Sequence, residues 1–459
     1  MSPPISSKTA NSEKSPSRAL FTRWHFVTIA LLIFGYSGYY FCRSDYSVAL
    51  PLILAEEVRK GTPLNVAQVR LGSIASLGVL AYAVGKFPSG ALADIFGGRR
   101  NFLGGMLGSI IFTLLFMMGG GFPIFTLAWI GNRLVQSLGW AGLVKVTSRW
   151  FSYSTYGGVM AVLSLSYLFG DAVSRGIMSL LLKHGSGWRG IFATGSGLLA
   201  VLFVCNAVLL RESPTQCNLP PPEENPLNLF SGSDPTVTRP NALDIFGILL
   251  SSRTFWLVCG LSMGTTLLRE TFNLWTPTYF TQVVGLTTAQ AASSSALFPL
   301  FGGLSVLAAG FFSDYLGAEG RSRILFGGLC LCTLALVSLA QVPTHATRLL
   351  PIALVATVAF LLIGPYSYLA GATSLDFGGK AGSATASGVI DGFGYLAGTF
   401  SGSAIAQVTV SYGWRMTFFL LAAVAALSSV IAGLVLWQQH QRAAALVLRT
   451  SEPNEDALL

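Results

Sequence analysis

Charge is what this chain has least of. Asp, Glu, Lys and Arg make up 10% of its 459 residues, against about 25% in an average soluble domain. With 52% hydrophobic residues and a mean hydropathy of +0.62, that scarcity excludes an ordinary soluble enzyme. Histidine is scarcer still: His25, His184, His345 and His440 fall near the ends of apolar runs or between them. They form no Ser/His/Asp grouping, no metal-ligand cluster and no phosphate-cradling glycine loop, so neither catalysis, a cofactor nor a metal is expected. The six cysteines have no paired spacing. Cys42, Cys205, Cys259, Cys330 and Cys332 fall in apolar runs and Cys217 in a polar one, which excludes a disulfide framework. Residues 1–18 are rich in Ser and Pro and lack an apolar centre, so no secretory leader is expected.

Long apolar runs are what the chain has in quantity. Stretches of about 20 residues, enough to cross a ~30 Å hydrocarbon layer, begin near His25, Gln68, Asn101, Phe122, Gly157, Trp188, Thr254, Ala289, Arg323, Leu349, Ala381 and Trp414. The expected fold is an all-α membrane protein of twelve transmembrane helices in two pseudosymmetric six-helix bundles. The net charge of +9 would suggest nucleic acid in a soluble protein; here its distribution matters more. Residues such as Lys8, Lys14, Arg149 and Arg211 put the excess on the N-terminal tail and alternate loops, so both termini are expected in the cytoplasm. The Pro-rich polar stretch 211–245 reads as a cytoplasmic linker. It divides a tail (1–23) and bundle (24–210) from a second bundle (246–440) and a cytoplasmic tail (441–459).

Two spans carry an arginine near their middle, Arg43 in the first and Arg269 in the seventh. An arginine at the centre of such a helix costs about 2.5–3.5 kcal/mol on insertion scales. Their positions differ by an offset of 226 (269 − 43), and Trp188-Arg189 recurs as Trp414-Arg415 at the same offset (414 − 188). This spacing reads as an internal duplication whose halves each bring one guanidinium to a shared site near the membrane midplane. Two planar forks suit bidentate contact with phosphate or carboxylate, so the expected ligand is a small anion, first of all a divalent phosphate. Tyr36, Tyr39 and Tyr40 stand at i−7, i−4 and i−3 from Arg43 and share its face. Thr265, Thr266, Asn273 and Thr276 repeat that stripe around Arg269.

Other polar residues cluster on these spans. Lys86 lies deep in the second, whereas Lys145 sits at the cytoplasmic exit of the fourth. The fifth presents Tyr167, Asp171 and Arg175 at helical spacing, where Asp171 and Arg175 can either neutralise each other or bind. Glu270 follows Arg269 directly and, at about 100° per residue, need not share its face. Asp391 and Tyr395 lie in the eleventh span among glycines that serve as packing surface.

The segment GALADIFGGRR, Gly90 to Arg100, resembles the signature that the major facilitator superfamily carries between its second and third helices. It has one inserted residue, and Ile95 stands at a usually basic position. The resemblance implies close helix contact at Gly90, a helix-end role for Asp94 and loop anchoring by Arg99 and Arg100. A degenerate copy, GFFSD, ends at Asp314, at an offset of 220 (314 − 94). GNRLVQSLGW resembles the superfamily's RxxQG pattern, with Arg133 read as a scaffold residue bonded to neighbouring helix ends.

FGYSGYYFCRSDYSVALP, GKFPSGALAD, SLGWAGLVKVTSRWF, ESPTQCNLPP, LLRETFNLWTPTYF and FGYLAG resemble the organophosphate:phosphate antiporter family of that superfamily. The likeness covers all twelve spans. It implies exchange of glycerol 3-phosphate or a sugar phosphate for inorganic phosphate by rocker-switch alternating access. Arg43 and Arg269 match the phosphate-binding arginines and Lys86 a pore lysine, while Tyr36, Tyr40, Trp140 and Tyr395 match positions lining the pathway. Tyr167 stands where the family has a site histidine, and Ser44 where the bacterial members have a lysine. Glu270, Asp391 and Asp171 are the candidates for coupling or charge balance. A monomer in the plasma (inner) membrane is expected, with lipid around it and an organellar membrane as the other setting. Two alternatives remain: a non-transporting sugar-phosphate receptor of the same fold, and a carrier for other organic anions.

Overall fold

The computed structural model describes residues 22–222, 249, 251–316, 320–343, 347–369 and 386–451. The described regular structure is helical, as a lipid-embedded chain requires, because helices satisfy their backbone polar groups internally. The first half is α1 (Arg23–Arg59), α2 (Leu64–Phe96), α3 (Gly98–Met118), α4 (Phe122–Trp150), α5 (Tyr153–Lys183) and α6 (Trp188–Leu209). The second is α7 (Arg253–Gln282), α8 (Thr288–Ser295 and Leu297–Tyr315), α9 (Gly320–Ala340) and α10 (Leu349–Leu369). It continues in α11, residues 386–412 with a 3-10 turn at Thr399–Ser401, and α12, residues 414–451. Gly413, at φ 78°, separates the last two, a conformation that favours glycine.

Among the described residues, nine stretches are long and apolar enough to cross a membrane. The helices α4 and α7, which carry Arg133 and Arg269, fall short of that measure, and residues 386–441 count once although Gly413 divides them. Together these make the twelve spans. α12 runs on as helix to Ser451, past residue 441 where the sequence suggests a tail, because QRAAALVLR is rich in good helix formers. The linker beyond residue 222, apart from Leu249, and the first residues of the eleventh span lie outside the described residues.

The duplication is visible in contacts. Pro51 inside α1 and Pro277 inside α7 stand at the same offset as the two arginines. Trp188 Nε1 donates to Glu56 Oε2 at 2.5 Å, and Trp414 Nε1 donates to Gln282 Oε1 at 3.1 Å; both members of each pair are related by that offset too. Ser47 and Asn273 are also counterparts, and Ser47 Oγ donates to the Asn273 carbonyl at 2.7 Å. The pseudo-twofold axis therefore passes between α1 and α7 at this point.

The bundles share an extensive hydrophobic core at one end. Beyond Arg43, toward the face opposite the chain ends, one hydrophobic core runs through both halves, with Tyr46, Leu50 and Ile53 of α1 in the same cluster as Phe272 and Trp275 of α7. Toward the face carrying the chain ends, the second core, with Tyr39, Phe102, Leu143 and Trp150, belongs to the first bundle alone. Hydrogen bonds reinforce the joined end: Ser179 Oγ donates to the Ala289 carbonyl at 2.7 Å and Ser76 Oγ to the Thr399 carbonyl at 2.5 Å.

Beside Ser76, α2 and α11 meet glycine to glycine. A Cβ on Gly402 would overlap the Gly72 carbonyl oxygen, so a Gly402→Val variant cannot keep that contact. Spin labels at the exposed Asn65 and Thr287 should then show a longer mean separation than in the unsubstituted chain. An unchanged distance would mean that this contact does not set the closure.

Candidate functional site

Arg43 follows a break in α1. Cys42 has non-helical angles, φ −98° and ψ 17°, and its carbonyl accepts hydrogen bonds from Asn132 Nδ2 at 3.1 Å and Gln136 Nε2 at 2.9 Å. Two buried amides of α4 thus take over a carbonyl that the broken helix leaves, as a kink requires. The Arg43 guanidinium lies 4.7 Å from the ring centre of Tyr82 and 5.3 Å from that of Tyr40. Among the described residues, no carboxylate lies within ion-pair distance of it.

Arg269 is held differently. Its Nη2 donates to Glu270 Oε1 at 2.7 Å and to the Tyr395 hydroxyl at 3.0 Å, and its guanidinium lies 4.7 Å from the Tyr366 ring centre. Its Nε is buried without a hydrogen-bond partner among the described residues. Lys86 Nζ lies 2.8 Å from Asp391 Oδ2, an ion pair between the bundles, and 4.9 Å from the Tyr395 ring centre.

These groups surround one cavity of about 360 Å³. Tyr36, Tyr40, Arg43, Lys86, Trp140 and Tyr167 of the first bundle line it with Arg269, Asp391 and Tyr395 of the second. Its lining lies in the halves of the helices nearer the chain ends, where the bundles meet through the smaller buried cluster of Val79, Tyr82, Ala83 and Tyr395. Trp140 and Tyr366, one on each side, are counterparts in the repeat. Tyr36 packs on Trp140 with ring centres 5.4 Å apart, and Tyr40 stacks on Tyr167 at 6.3 Å. One end of the cavity is cationic and its walls are aromatic and hydroxylic. It can hold an anion whose organic part carries hydroxyls.

A smaller chamber of about 70 Å³ lies on the other side of Arg43, lined by Ser44, Ser47, Arg133, Asp171, Arg175, Glu270 and Asn273. Asp171 accepts from Arg175 Nε at 2.9 Å and from Ser44 Oγ. Arg175 also donates to Ser295 Oγ at 3.1 Å and to the Asn273 carbonyl at 3.0 Å. Asp171 and Arg175 are thus an internally neutral latch at the joined end, away from the larger cavity. Glu270 does reach Arg269, although it is the next residue.

Arg133 departs from the expected scaffold role. Among the described residues its guanidinium reaches no helix end; it lies 4.8 Å from the ring centre of Tyr82, the ring that also carries Arg43. It turns inward because Trp129, one turn earlier on α4, stacks on Tyr46 of α1 and fixes that face of α4 against the interior. Loop anchoring is found around Arg99 instead. The backbone amides of Gly98 and Arg99 donate to the Glu212 carboxylate at 2.9 and 2.7 Å, Arg149 Nη1 meets it at 2.7 Å, and Arg99 Nη2 reaches the Ala207 carbonyl at 2.5 Å. Glu212 of ESPTQCNLPP therefore caps the positive end of α3. Arg100 is exposed. The surroundings of Gly90 and the side chains of Asp94 and Asp314 lie outside the described residues.

Tyr82 and Tyr366 escape the sequence reading. Tyr82 stands one helical turn before Lys86, a spacing that points to it. Tyr366 is the counterpart of Trp140 (366 − 140 = 226), so the repeat itself points to the second.

The charges can be counted. Arg43, Lys86, Arg133 and Arg269 bring four positive charges to the centre, Glu270 and Asp391 bring two negative ones, and the Asp171–Arg175 pair cancels. The described side chains lining the two chambers leave an excess of two positive charges; Asp45, buried two residues beyond Arg43, lines neither chamber and stands outside this count.

The model of the Major Facilitator Superfamily matches residues 32–402. A probable hexose phosphate transport protein of Chlamydia pneumoniae is 26% identical over 428 residues, 89% of this chain and 90% of that protein. A glycerol-3-phosphate transporter of Bacillus subtilis is 24% identical over 442 residues, covering 94% and 96%. The membrane sensor protein UhpC of Escherichia coli is 25% identical over 432 residues, covering 92% and 94%.

An anion entering the cavity would meet Lys86 already paired with Asp391. An Asp391→Asn variant is expected to bind inorganic phosphate several-fold more tightly, measured by titration calorimetry on purified protein. Weaker binding would mean that the carboxylate positions the lysine rather than competing with it.

Proposed function

The chain belongs to the Major Facilitator Superfamily, and on that premise we propose that it exchanges a phosphorylated small metabolite, a sugar phosphate or glycerol 3-phosphate, for inorganic phosphate by alternating access. The observation that carries this reading is the excess of two positive charges at a centre built from both bundles. A phosphomonoester, largely dianionic at neutral pH, matches that excess in sign and number.

The reading also supplies a reason for exchange. Rocking the empty bundles together would enclose two uncompensated guanidiniums in a low-dielectric space, and an uncompensated buried charge costs about 3–5 kcal/mol. A bound dianion removes that penalty, so the loaded protein reorients and the empty one does not. Swapping one dianion for another leaves the count unchanged, which makes inorganic phosphate a suitable counter-substrate. Arg43 from one bundle and Arg269 from the other meet the phosphoryl oxygens, and their forks favour a tetrahedral oxyanion over a point charge. The hydroxyls of Tyr36, Tyr40 and Tyr395 face the organic part.

With the joined end closed, the cavity is accessible from the face carrying the chain ends, the cytoplasm if the loop charges orient the chain. The relation to a membrane sensor protein favours one second reading, a receptor that binds the same esters without carrying them.

Proteoliposomes separate the two. Uptake of labelled glucose 6-phosphate is expected only when phosphate is inside; uptake indifferent to internal phosphate would reject exchange, and binding without uptake would favour the receptor. Arg43→Lys and Arg269→Lys should each weaken phosphate binding by about tenfold or more, since each loses a bidentate fork. Unchanged affinity in either variant would reject the paired-arginine site.

A further inference from the structure

We infer that Arg133, which does not line the larger cavity, makes the site selective for doubly over singly charged esters. This inference rests on the phosphomonoester reading of the cavity. Its ground is an inequality among the four central cations. Lys86 is paired with Asp391 and Arg269 with Glu270; Arg43 and Arg133 are the two left without an ion-pair partner among the described residues. The repeat suggests Arg43 and Arg269 as the matched pair, but the charge balance makes it Arg43 and Arg133, both in the first bundle.

Arg133 is 3% exposed, and room for its stem is made by α2. A Cβ on Gly78 would lie 2.4 Å from Trp129 Nε1 and 3.0 Å from Arg133 Cγ, so glycine there lets both side chains of α4 pack inward against α2. The charged and titratable groups around it are Tyr40, Arg43 and Tyr46 on α1, Tyr82 on α2, Asp171 with Arg175 on α5, Glu270 on α7 and Tyr395 on α11. Asp171 is taken by Arg175 and Ser44, and Glu270 by Arg269. The Tyr82 ring lies within 4.8 Å of both guanidinium centres and offers each a π face without cancelling either charge.

Arg133 reaches the ligand through its field. In a buried setting a unit charge several ångström away still changes anion affinity by about tenfold or more at an effective dielectric near 20. With Arg133 neutralised the excess falls from two to one, and the site should then suit a monoanion. With Glu270 neutralised the excess rises to three.

Two isosteric probes read this out: glucose 6-phosphate, mostly dianionic at neutral pH, and glucose 6-sulfate, a monoanion throughout. Binding of each to the purified full-length protein is measured by competition against labelled phosphate at pH 7.5. The unsubstituted chain should prefer the phosphate ester. In Arg133→Gln and Arg133→Met that preference should shrink by about tenfold, in Arg133→Lys it should persist, and in Glu270→Gln it should widen. The affinity of the unsubstituted chain for the phosphate ester should rise with pH through about 6, as the ester gains its second charge, and this rise should flatten in the neutral Arg133 variants. An unchanged preference in a folded neutral variant, or its equal loss in Arg133→Lys, would overturn the inference. If neither ester displaces phosphate from the unsubstituted chain, the phosphomonoester reading itself fails.

Discussion

An arginine in the middle of a membrane helix fixes most of what surrounds it. The Arg43 guanidinium cannot shed its charge, so the fold must give it polarizable surroundings and leave its fork free for a guest. The break at Cys42 does both. It turns the following residue off the regular helical path, and the carbonyl it releases is taken by Asn132 and Gln136 rather than by the arginine. Tyr40 and Tyr82 then offer π faces, which stabilise a cation by about 0.5–2 kcal/mol each without committing the fork to an anion. A carboxylate at that distance would have stabilised the charge further and removed it from use.

The second half solves the same problem the other way. Residues 44 and 270 are counterparts in the repeat, a serine after Arg43 and a glutamate after Arg269. Glu270 closes on its neighbouring arginine at 2.7 Å, whereas Ser44 turns away to Asp171. One fork is therefore open and its counterpart partly engaged. In the exchange reading, a phosphoryl group docks on Arg43 first and takes Arg269 in competition with Glu270, which also tempers the charge that the empty site must carry.

The repeat makes much of this legible in the sequence. An offset derived from two arginines and two Trp-Arg pairs also relates Pro51 to Pro277, Ser47 to Asn273, and Trp140 to Tyr366, because a duplicated chain repeats its contacts as well as its residues. The eight side chains expected to line a binding site all border one cavity. What sequence cannot give is the direction of each charged side chain within its helix. Arg133 belongs by pattern to a scaffold motif, yet the stacking of Trp129 on Tyr46 turns that face of α4 to the interior. Glu270, the residue after Arg269, reaches it by side-chain flexibility that helical periodicity ignores. Asp171 and Arg175 read as a pair that neutralises or binds, and only the position of Asn273 and Ser295 across the interface gives them a latch's work.

The two ends of the interface are held by different physics, and the difference bears on which gate a ligand can move. At the joined end the contacts are short: glycine against glycine, serine hydroxyls on carbonyls, a core shared by both bundles, and the Arg175 latch whose charge Asp171 cancels. None of these contains a free charge, so an anion in the cavity has no direct purchase on them. At the other end the described ties near the cavity are the Tyr82–Tyr395 ring contact, with centres 5.2 Å apart, and the ion pair of Lys86 with Asp391, whose side chains are 26% and 23% exposed. In the exchange reading, a phosphoryl group beside Lys86 would weaken the ion pair electrostatically while drawing Arg43 and Arg269 toward itself from opposite bundles. In that reading the charged tie is the one that responds to occupancy. Closing over a ligand must replace it with contacts between the bundles that only a neutralised centre permits.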